Sequence, residues 1–350
     1  MKNTIELEWV RPVTAGDLPA KEILEGMTRI NAQEQTRLAS EKGPFSSHKA
    51  YTDIAYWRGQ YYCIFRVGTA HWSDDGHWEI FVSDDSERWG FIRRIDAKGD
   101  ARDPHFLVTE NRLIALIGDA RSSKNGGMQY RCVYTEDGKK WSKPVECAPE
   151  GYVLWYPKRS GTSYYAAAYD AGPDVSLFSS TDGLSWKRIS TICQTEPENG
   201  EGETCLHFYQ DGRALAIVRQ GGTIGPDWND LIVHRCKVMC CDKAPYDYWY
   251  ERPLKETLSI EGQQCLEVKN RLYVCGRNYH RNPVRRAEIF RQTVLFRVEA
   301  DRFIPELILP SGGDTAYCGM LNRPDGKLLV SYYTGTRERS DIMVALVIVD

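Results

Sequence analysis

SDDSERW at residues 83–89, TEDGKKW at 135–141 and STDGLSW at 180–186 are three versions of one short turn. Each opens on Ser or Thr, carries an Asp two residues on and closes on Trp, and the second and third have Gly in the middle. In such a corner the hydroxyl and carboxylate satisfy backbone N–H groups, Gly tolerates positive φ, and the indole packs back over the bend. One copy would be only a turn. Three copies spaced 52 and 45 residues apart mark a repeated β-unit, and a period of this size points to a propeller.

Around these turns the chain reads as hairpins of matching anatomy: an apolar strand, a tight polar turn, a second apolar strand. They run from Tyr51 through Arg58-Gly59 to Arg66, from Asp103 through Glu110-Asn111 to Asp119, and from Tyr156 through Ser160-Gly161 to Asp170. Three more run from Glu203 through Asp211-Gly212 to Arg219, from Gln264 through Asn270 to Arg277, and from Tyr317 through Asp325-Gly326 to Tyr333. Six hairpins predict an all-β domain, a six-bladed β-propeller, over residues 46–350. The repeated turns follow the first three hairpins, where the outer two strands of a blade would be joined. Residues 1–45 are expected to add a strand, since residues 2–10 alternate, and a short helical extension over 18–39 that packs on the propeller. That strand, or the C-terminal strand at 342–349, would complete a blade begun at the other end of the chain and close the ring.

Composition narrows the function. The 350 residues carry 45 Lys and Arg against 48 Asp and Glu, a net charge of −3, so no global field would recruit nucleic acid or an anionic membrane. Any anionic ligand is left to local arginines. The opening MKNTIELEWVRP has Glu6 and Glu8 where a secretory leader needs an apolar core, so the chain as written is expected in the cytoplasm, or in the periplasm or outside the cell where a leader has been cleaved. Eleven cysteines scattered through strand-like segments, among them Cys63, Cys132, Cys205 and Cys275, read as small buried thiols in a reducing compartment. His234, Cys236, Cys240 and Cys241 lie in an alternating strand pattern without a second paired motif, which favours strand cysteines over a zinc site. No metal and no organic cofactor is expected.

In an antiparallel hairpin the first residue of one strand and the last of the other lie side by side, away from the turn. If the six hairpins are the inner halves of blades, those ends gather at one mouth of the central channel. That places together Asp53 and Arg66, Asp103 and Asp119, Asp170, Glu203 and Arg219, Gln264 and Arg277, then Asp314 and Tyr317 with Tyr333. The ends are polar although the strands between them are apolar, as a polar ligand site needs.

On these residues the chain resembles the sialidase superfamily of six-bladed propellers. The three turns look like that superfamily's Asp boxes, its BNR-type repeat, one residue shorter than the usual S-x-D-x-G-x-T-W. ETCLHFYQDGRALAIVR at 203–219 is similar to the sialidase segment carrying the glutamate that activates the nucleophile and an arginine that binds the substrate carboxylate. Tyr317-Cys-Gly-Met-Leu321 looks like the Y-S-x-L segment whose tyrosine is the nucleophile. The resemblance spans about residues 46–350 and implies an exo-glycoside hydrolase that takes a terminal sugar with retention, with Tyr317 as nucleophile, Glu203 as base and Arg219 binding substrate. A phenol with a pKa of roughly 10 needs such a carboxylate neighbour to attack near neutrality, and tyrosine is a known exception to the two-carboxylate scheme.

The chain also departs from that pattern. Where the superfamily has F-R-I-P with its first arginine, this sequence reads Tyr51-Thr52-Asp53-Ile54-Ala55, and Arg66 stands at the other end of the same hairpin. Arg277 is the candidate third arginine, with Arg285 and Arg286 as rivals. Asp75, His71 and Asp103 are alternative proton donors, and Asp53, Gln264 and Asp314 join Arg66, Arg219 and Arg277 as expected substrate contacts. An incomplete arginine set points to a sugar other than sialic acid. Two further readings stay open: a catalytically silent propeller that binds glycans or a protein, and a furanosidase-like hydrolase using Asp53 and Glu203 with Asp103 tuning them. Each site residue also has a structural reading, Glu203 with Arg219 as an ion pair and Tyr317 as a core aromatic.

Overall fold

Runs of two to eleven residues rich in β-branched and aromatic side chains, broken at Gly, Asn and Asp corners, form strands throughout this computed structural model. It describes residues 5–14, 47–120, 127–169, 174–194, 202–220, 236–255, 258–281, 289–335 and 339–350. The expected helix over 18–39 lies outside these residues, and no helix occurs among them. The first strands are β1 (Ile5–Pro12), β2 (His48–Trp57), β3 (Gln60–Gly68), β4 (His77–Ser83) and β5 (Gly90–Asp96). Next come β6 (Asp100–Val108), β7 (Leu113–Ala120), β8 (Met128–Thr135) and β9 (Val145–Glu146), then β10 (Val153–Ser160), β11 (Ser163–Tyr169), β12 (Asp174–Ser180) and β13 (Lys187–Gln194). They are followed by β14 (Thr204–Phe208), β15 (Ala214–Arg219), β16 (Cys236–Cys241) and β17 (Tyr250–Glu251). The last are β18 (Glu261–Val268), β19 (Arg271–Arg281), β20 (Ile289–Val298), β21 (Phe303–Ile308), β22 (Asp314–Asn322), β23 (Leu328–Gly335) and β24 (Ser340–Val349).

All six expected hairpins are antiparallel pairs, but among the described residues the sheets number five where six separate blades were expected. Four are four-stranded, β6–β9, β10–β13, β14–β17 and β18–β21. The fifth is eight-stranded and joins β2–β5 to β22–β24 with β1 on its flank. The join is a single parallel pair, His48 with Ser340, where the Ser340 hydroxyl accepts from the Lys49 N–H and donates to the Lys49 carbonyl. β1 pairs antiparallel with β24, so strands from both ends of the described chain share this sheet. The hairpins' first strands pack in a closed cycle, β2 on β6, β6 on β10, β10 on β14, β14 on β18, β18 on β22 and β22 back on β2. The apolar core sits between neighbouring sheets, for example Ile64, Trp78 and Ile80 against Phe106, Ala115 and Ile117.

The three repeated turns join β4 to β5, β8 to β9 and β12 to β13, the outer two strands that follow each hairpin, as expected. In the first, the Ser83 hydroxyl accepts from the Ser86 N–H at 2.8 Å, Asp85 accepts from the N–H groups of Glu87 and Arg88, and the Trp89 indole donates to the Ser86 carbonyl. The third is the same, with Ser180, Asp182 and Trp186, and Gly183 supplies φ of +75°.

One irregularity recurs and positions the site. Five of the six first strands gain one extra residue against their partner, between Ala50 and Asp53, Arg102 and His105, Trp155 and Lys158, Glu261 and Gln264, and Ala316 and Gly319. Such a bulge bends the strand and re-aims a side chain. Each holds a residue with left-handed backbone: Tyr51 (54°), Asp103 (33°), Tyr156 (30°), Gly262 (57°) and Tyr317 (51°).

Candidate functional site

Tyr317 enters the ring centre from its bulge in β22, and Glu203 reaches it from the residue just before β14. The phenol donates to Glu203 Oε1 at 2.5 Å. Arg219, at the far end of the same hairpin, donates to that oxygen at 2.7 Å, while the Gly262 N–H holds Glu203 Oε2 at 2.6 Å. Burial pushes the Tyr317 phenol well above its ordinary pKa, and the Glu203 charge adds to this while Arg219 and Arg277 oppose it. The phenol is therefore held in its protonated form, in contact with the Glu203 carboxylate.

A second carboxylate that sequence reasoning missed ties the two arginines together. Glu261 Oε1 accepts from Arg219 at 2.9 Å, and Oε2 accepts from Arg277 at 3.1 Å and from the Tyr279 hydroxyl at 2.7 Å. Arg277 also donates to Asp314 Oδ1 at 3.1 Å, to the Tyr333 hydroxyl at 2.9 Å and to the Thr315 carbonyl at 2.8 Å. Both arginines are thus ion-paired with carboxylates, Arg219 through its two terminal nitrogens and Arg277 likewise. The one signal for Glu261 was its place three residues before Gln264; the bulge between them shifted the hairpin end, so Glu261 pairs with Arg277 in register.

Asp314 is the hub of the other half. Its Oδ2 accepts from His71 Nδ1 at 2.5 Å and from His48 Nε2 at 3.1 Å. Burial drives this carboxyl upward, but the charge of His71, the two histidine hydrogen bonds and Arg277 outweigh it and leave the pKa well below the usual range. His71 Nε2 meets the Tyr51 hydroxyl at 2.9 Å, and Arg102 donates to the same hydroxyl. The ring of Tyr51 stands edge-on to that of Tyr317, with centroids 4.8 Å apart. Candidate ligand atoms of His48, His71 and Asp314 lie within 4.8 Å of one another. Their chemistry suits a hydrogen-bonded cluster better than a cation: the imidazoles point N–H at the carboxylate, and Arg66 donates to His48 Nδ1 at 3.3 Å.

Other expected contacts are spent on the scaffold. Asp53, only 2% exposed, accepts the Ile54 N–H with one oxygen and the Phe106 N–H with the other, pinning β2 to β6. Burial raises its pKa to about 7 against those two bonds. Gln264 accepts the Met320 N–H, and Arg66 is buried against Asp100 at 2.7 Å. Asp119 is paired with Arg131 and accepts the Lys98 N–H. Asp75 is exposed and holds Thr69, with hydrogen bonds led by Ser73 lowering its pKa. Asp103 is buried at its bulge, and its charge acts on Tyr317, Tyr51 and Tyr156. Asp170, His234, Arg285 and Arg286 lie outside the described residues.

No family model and no curated protein matches the chain. Solved structures do. A Dyadobacter fermentans protein of unknown function aligns over 99% of both chains at 14% identity with a TM-score of 0.70. Trypanosoma rangeli sialidase, in complex with the inhibitor DANA, aligns over 86% of this chain and 55% of its own at 16% identity, TM-score 0.62. Penicillium chrysogenum α-L-arabinanase, complexed with arabinobiose, aligns over 85% and 92% at 10% identity, TM-score 0.60. This chain is a β-propeller. Both named neighbours are propeller glycoside hydrolases, and this chain spans little more than half the length of the sialidase. At these identities the likeness shows the fold alone; the residues at the centre of the propeller carry the rest.

Proposed function

We propose that this propeller, six-bladed if the two halves of the eight-stranded sheet are counted as blades, is a retaining exo-glycoside hydrolase with a tyrosine nucleophile. The observation that carries the reading is the 2.5 Å contact between the Tyr317 phenol and Glu203 Oε1 at the ring centre. Glu203 takes the phenolic proton as the oxygen attacks the anomeric carbon, and the bond to the leaving group breaks as an acid protonates the departing oxygen. Water, deprotonated by that same acid, then displaces the tyrosine, whose proton returns from Glu203. Two inversions retain configuration. Asp103, buried at its bulge in β6, is the proposed acid, since Asp75 is exposed and tied to Thr69 and both ring nitrogens of His71 are already engaged.

The substrate is proposed to be a neutral sugar. Arg219 and Arg277 face Glu203, Glu261 and Asp314, and Tyr51-Thr52-Asp53-Ile54-Ala55 stands where the resemblance calls for a further arginine, so neither of these two described arginines is an uncompensated fork for a carboxylate. Against the two-carboxylate scheme stands Asp53, whose oxygens are both committed to backbone N–H groups. Incubation with a panel of fluorinated glycosyl fluorides of neutral sugars, followed by mass spectrometry of peptides, tests the reading. Label on Tyr317, absent in Tyr317→Phe, is expected; label on a carboxylate, or on no residue, refutes it.

A further inference from the structure

Trp72 is 56% exposed, in a protein that buries most of its large apolar side chains, and it directly follows His71 in the loop between β3 and β4. Its ring is fixed in place. The Arg102 guanidinium lies 3.3 Å from the ring centroid, and Arg102 is itself held by Asp100 at 2.6 Å and by donation to the His71 carbonyl at 2.7 Å. The loop around Trp72 is pinned at both sides: His71 by Asp314 and Tyr51, Ser73 by Arg66 at 2.8 Å, and Thr69 by Asp75 at 3.1 Å. An indole clamped rigid yet left in water gives up apolar burial and loses rotamer freedom before any ligand arrives, the arrangement of a preorganised contact surface. It stands next to the site: Arg102 donates to the Tyr51 hydroxyl, and the Tyr51 ring meets the Tyr317 ring at 4.8 Å.

We infer that Trp72 is a stacking platform for the sugar unit on the leaving-group side of the scissile bond, so that the preferred substrate is a neutral oligosaccharide whose second ring presents an apolar C–H face. The inference rests on the reading that the ring centre takes a sugar. The guanidinium covers one indole face and enriches the ring's contact with it, while the solvent-facing remainder offers the flat apolar surface that sugar C–H groups pack on. A neutral ring fits here because Asp100 is paired with both Arg66 and Arg102, and Asp314 with Arg277, around the loop.

The test reads binding, which separates it from turnover. Calorimetric titration of the full chain carrying Tyr317→Phe uses five probes, lactose, cellobiose, maltose, xylobiose and arabinobiose, each beside the methyl glycoside of its non-reducing sugar. At least one disaccharide is expected to bind tenfold or more tightly than its methyl glycoside. Adding Trp72→Ala is expected to erase that preference, and Trp72→Phe to restore part of it. Tyr248→Ala, at an exposed aromatic elsewhere on the surface (72%), leaves the preference within twofold. No saturable binding by any probe, a preference that survives Trp72→Ala, or an equal loss in Tyr248→Ala overturns the inference. Trp72-dependent binding in a chain that forms no glycosyl-enzyme would sink the hydrolase reading and leave the platform standing.

Discussion

Gly262 does two jobs that no other residue type can combine, which makes Gly262→Ala the most informative single change. Its backbone sits at φ +57°, and from there its N–H reaches Glu203 Oε2 at 2.6 Å. A Cβ at this position would lie 2.6 Å from Cδ2 and 2.8 Å from Cγ of Tyr317, and 2.9 Å from the Tyr317 backbone nitrogen. Left-handed backbone costs a non-glycine residue about 1–2 kcal/mol. Overpacking against a ring and a backbone atom that cannot rotate away adds about 1–3 kcal/mol. Gly212→Ala provides the comparison, because Gly212 has φ of +91° with nothing within 4 Å of an added Cβ, so only the first cost applies. Urea unfolding followed by tryptophan fluorescence is expected to show Gly262→Ala less stable than Gly212→Ala by about 1–3 kcal/mol. Displacement of Tyr317 from Glu203 by an ångström would also lower turnover by about a hundredfold. A Gly262→Ala protein no less stable than Gly212→Ala and fully active would refute the claim that this glycine shapes the Tyr317–Glu203 pair.

Three further outcomes follow from the same contacts. Glu203→Gln keeps the shape of the base but not its charge, so hydrolysis is expected to fall at least a thousandfold at neutral pH, and a bare tenfold loss would show that another group takes the Tyr317 proton. Asp53 has a folded pKa raised to about 7, above its unfolded value, so its contribution is fully present below about pH 4 and is lost as pH rises through 7. Unfolding free energy measured from pH 4 to 7 should therefore decline in the wild type, by up to about 1.4 kcal/mol per pH unit from this group, and that part of the slope should vanish in Asp53→Asn. That variant also presents one acceptor to two N–H groups and should lose about 1–3 kcal/mol at pH 4. Ser180→Ala removes the acceptor for the Asp182 and Gly183 N–H groups and should lower stability by about 1 kcal/mol with turnover unaltered; altered turnover would mean that the repeated turns reach the site.

The repeated turn was legible because its chemistry is local: Ser180, Asp182 and Trp186 satisfy one another within seven residues, so the spacing of side chains along the chain is enough to read it. The hairpins were legible for the same reason. The sheet count was not, since the stitch between His48 and Ser340 joins residues 292 apart and depends on where two blades come to lie. Within the site, Glu203, Arg219, Arg277, Asp314 and Tyr317 were found by following hairpin ends to a common mouth, and they do meet there. The same rule also nominated Asp53 and Gln264, which instead bond to backbone N–H groups of neighbouring strands, and passed over Glu261 and Tyr51.

Those errors have one cause. A bulge shifts the alternation of a strand by one residue, so which side chain faces the axis changes at each of the five bulges. By itself the sequence determined the all-β hairpin architecture and the cast of polar ends, because strand alternation and turn chemistry are short-range. Only the tertiary structure decided that Tyr317 rests on Glu203, that Glu261 binds both arginines, and that Trp72 stays in water on Arg102, because these depend on inner strands from distant parts of the chain closing around one axis.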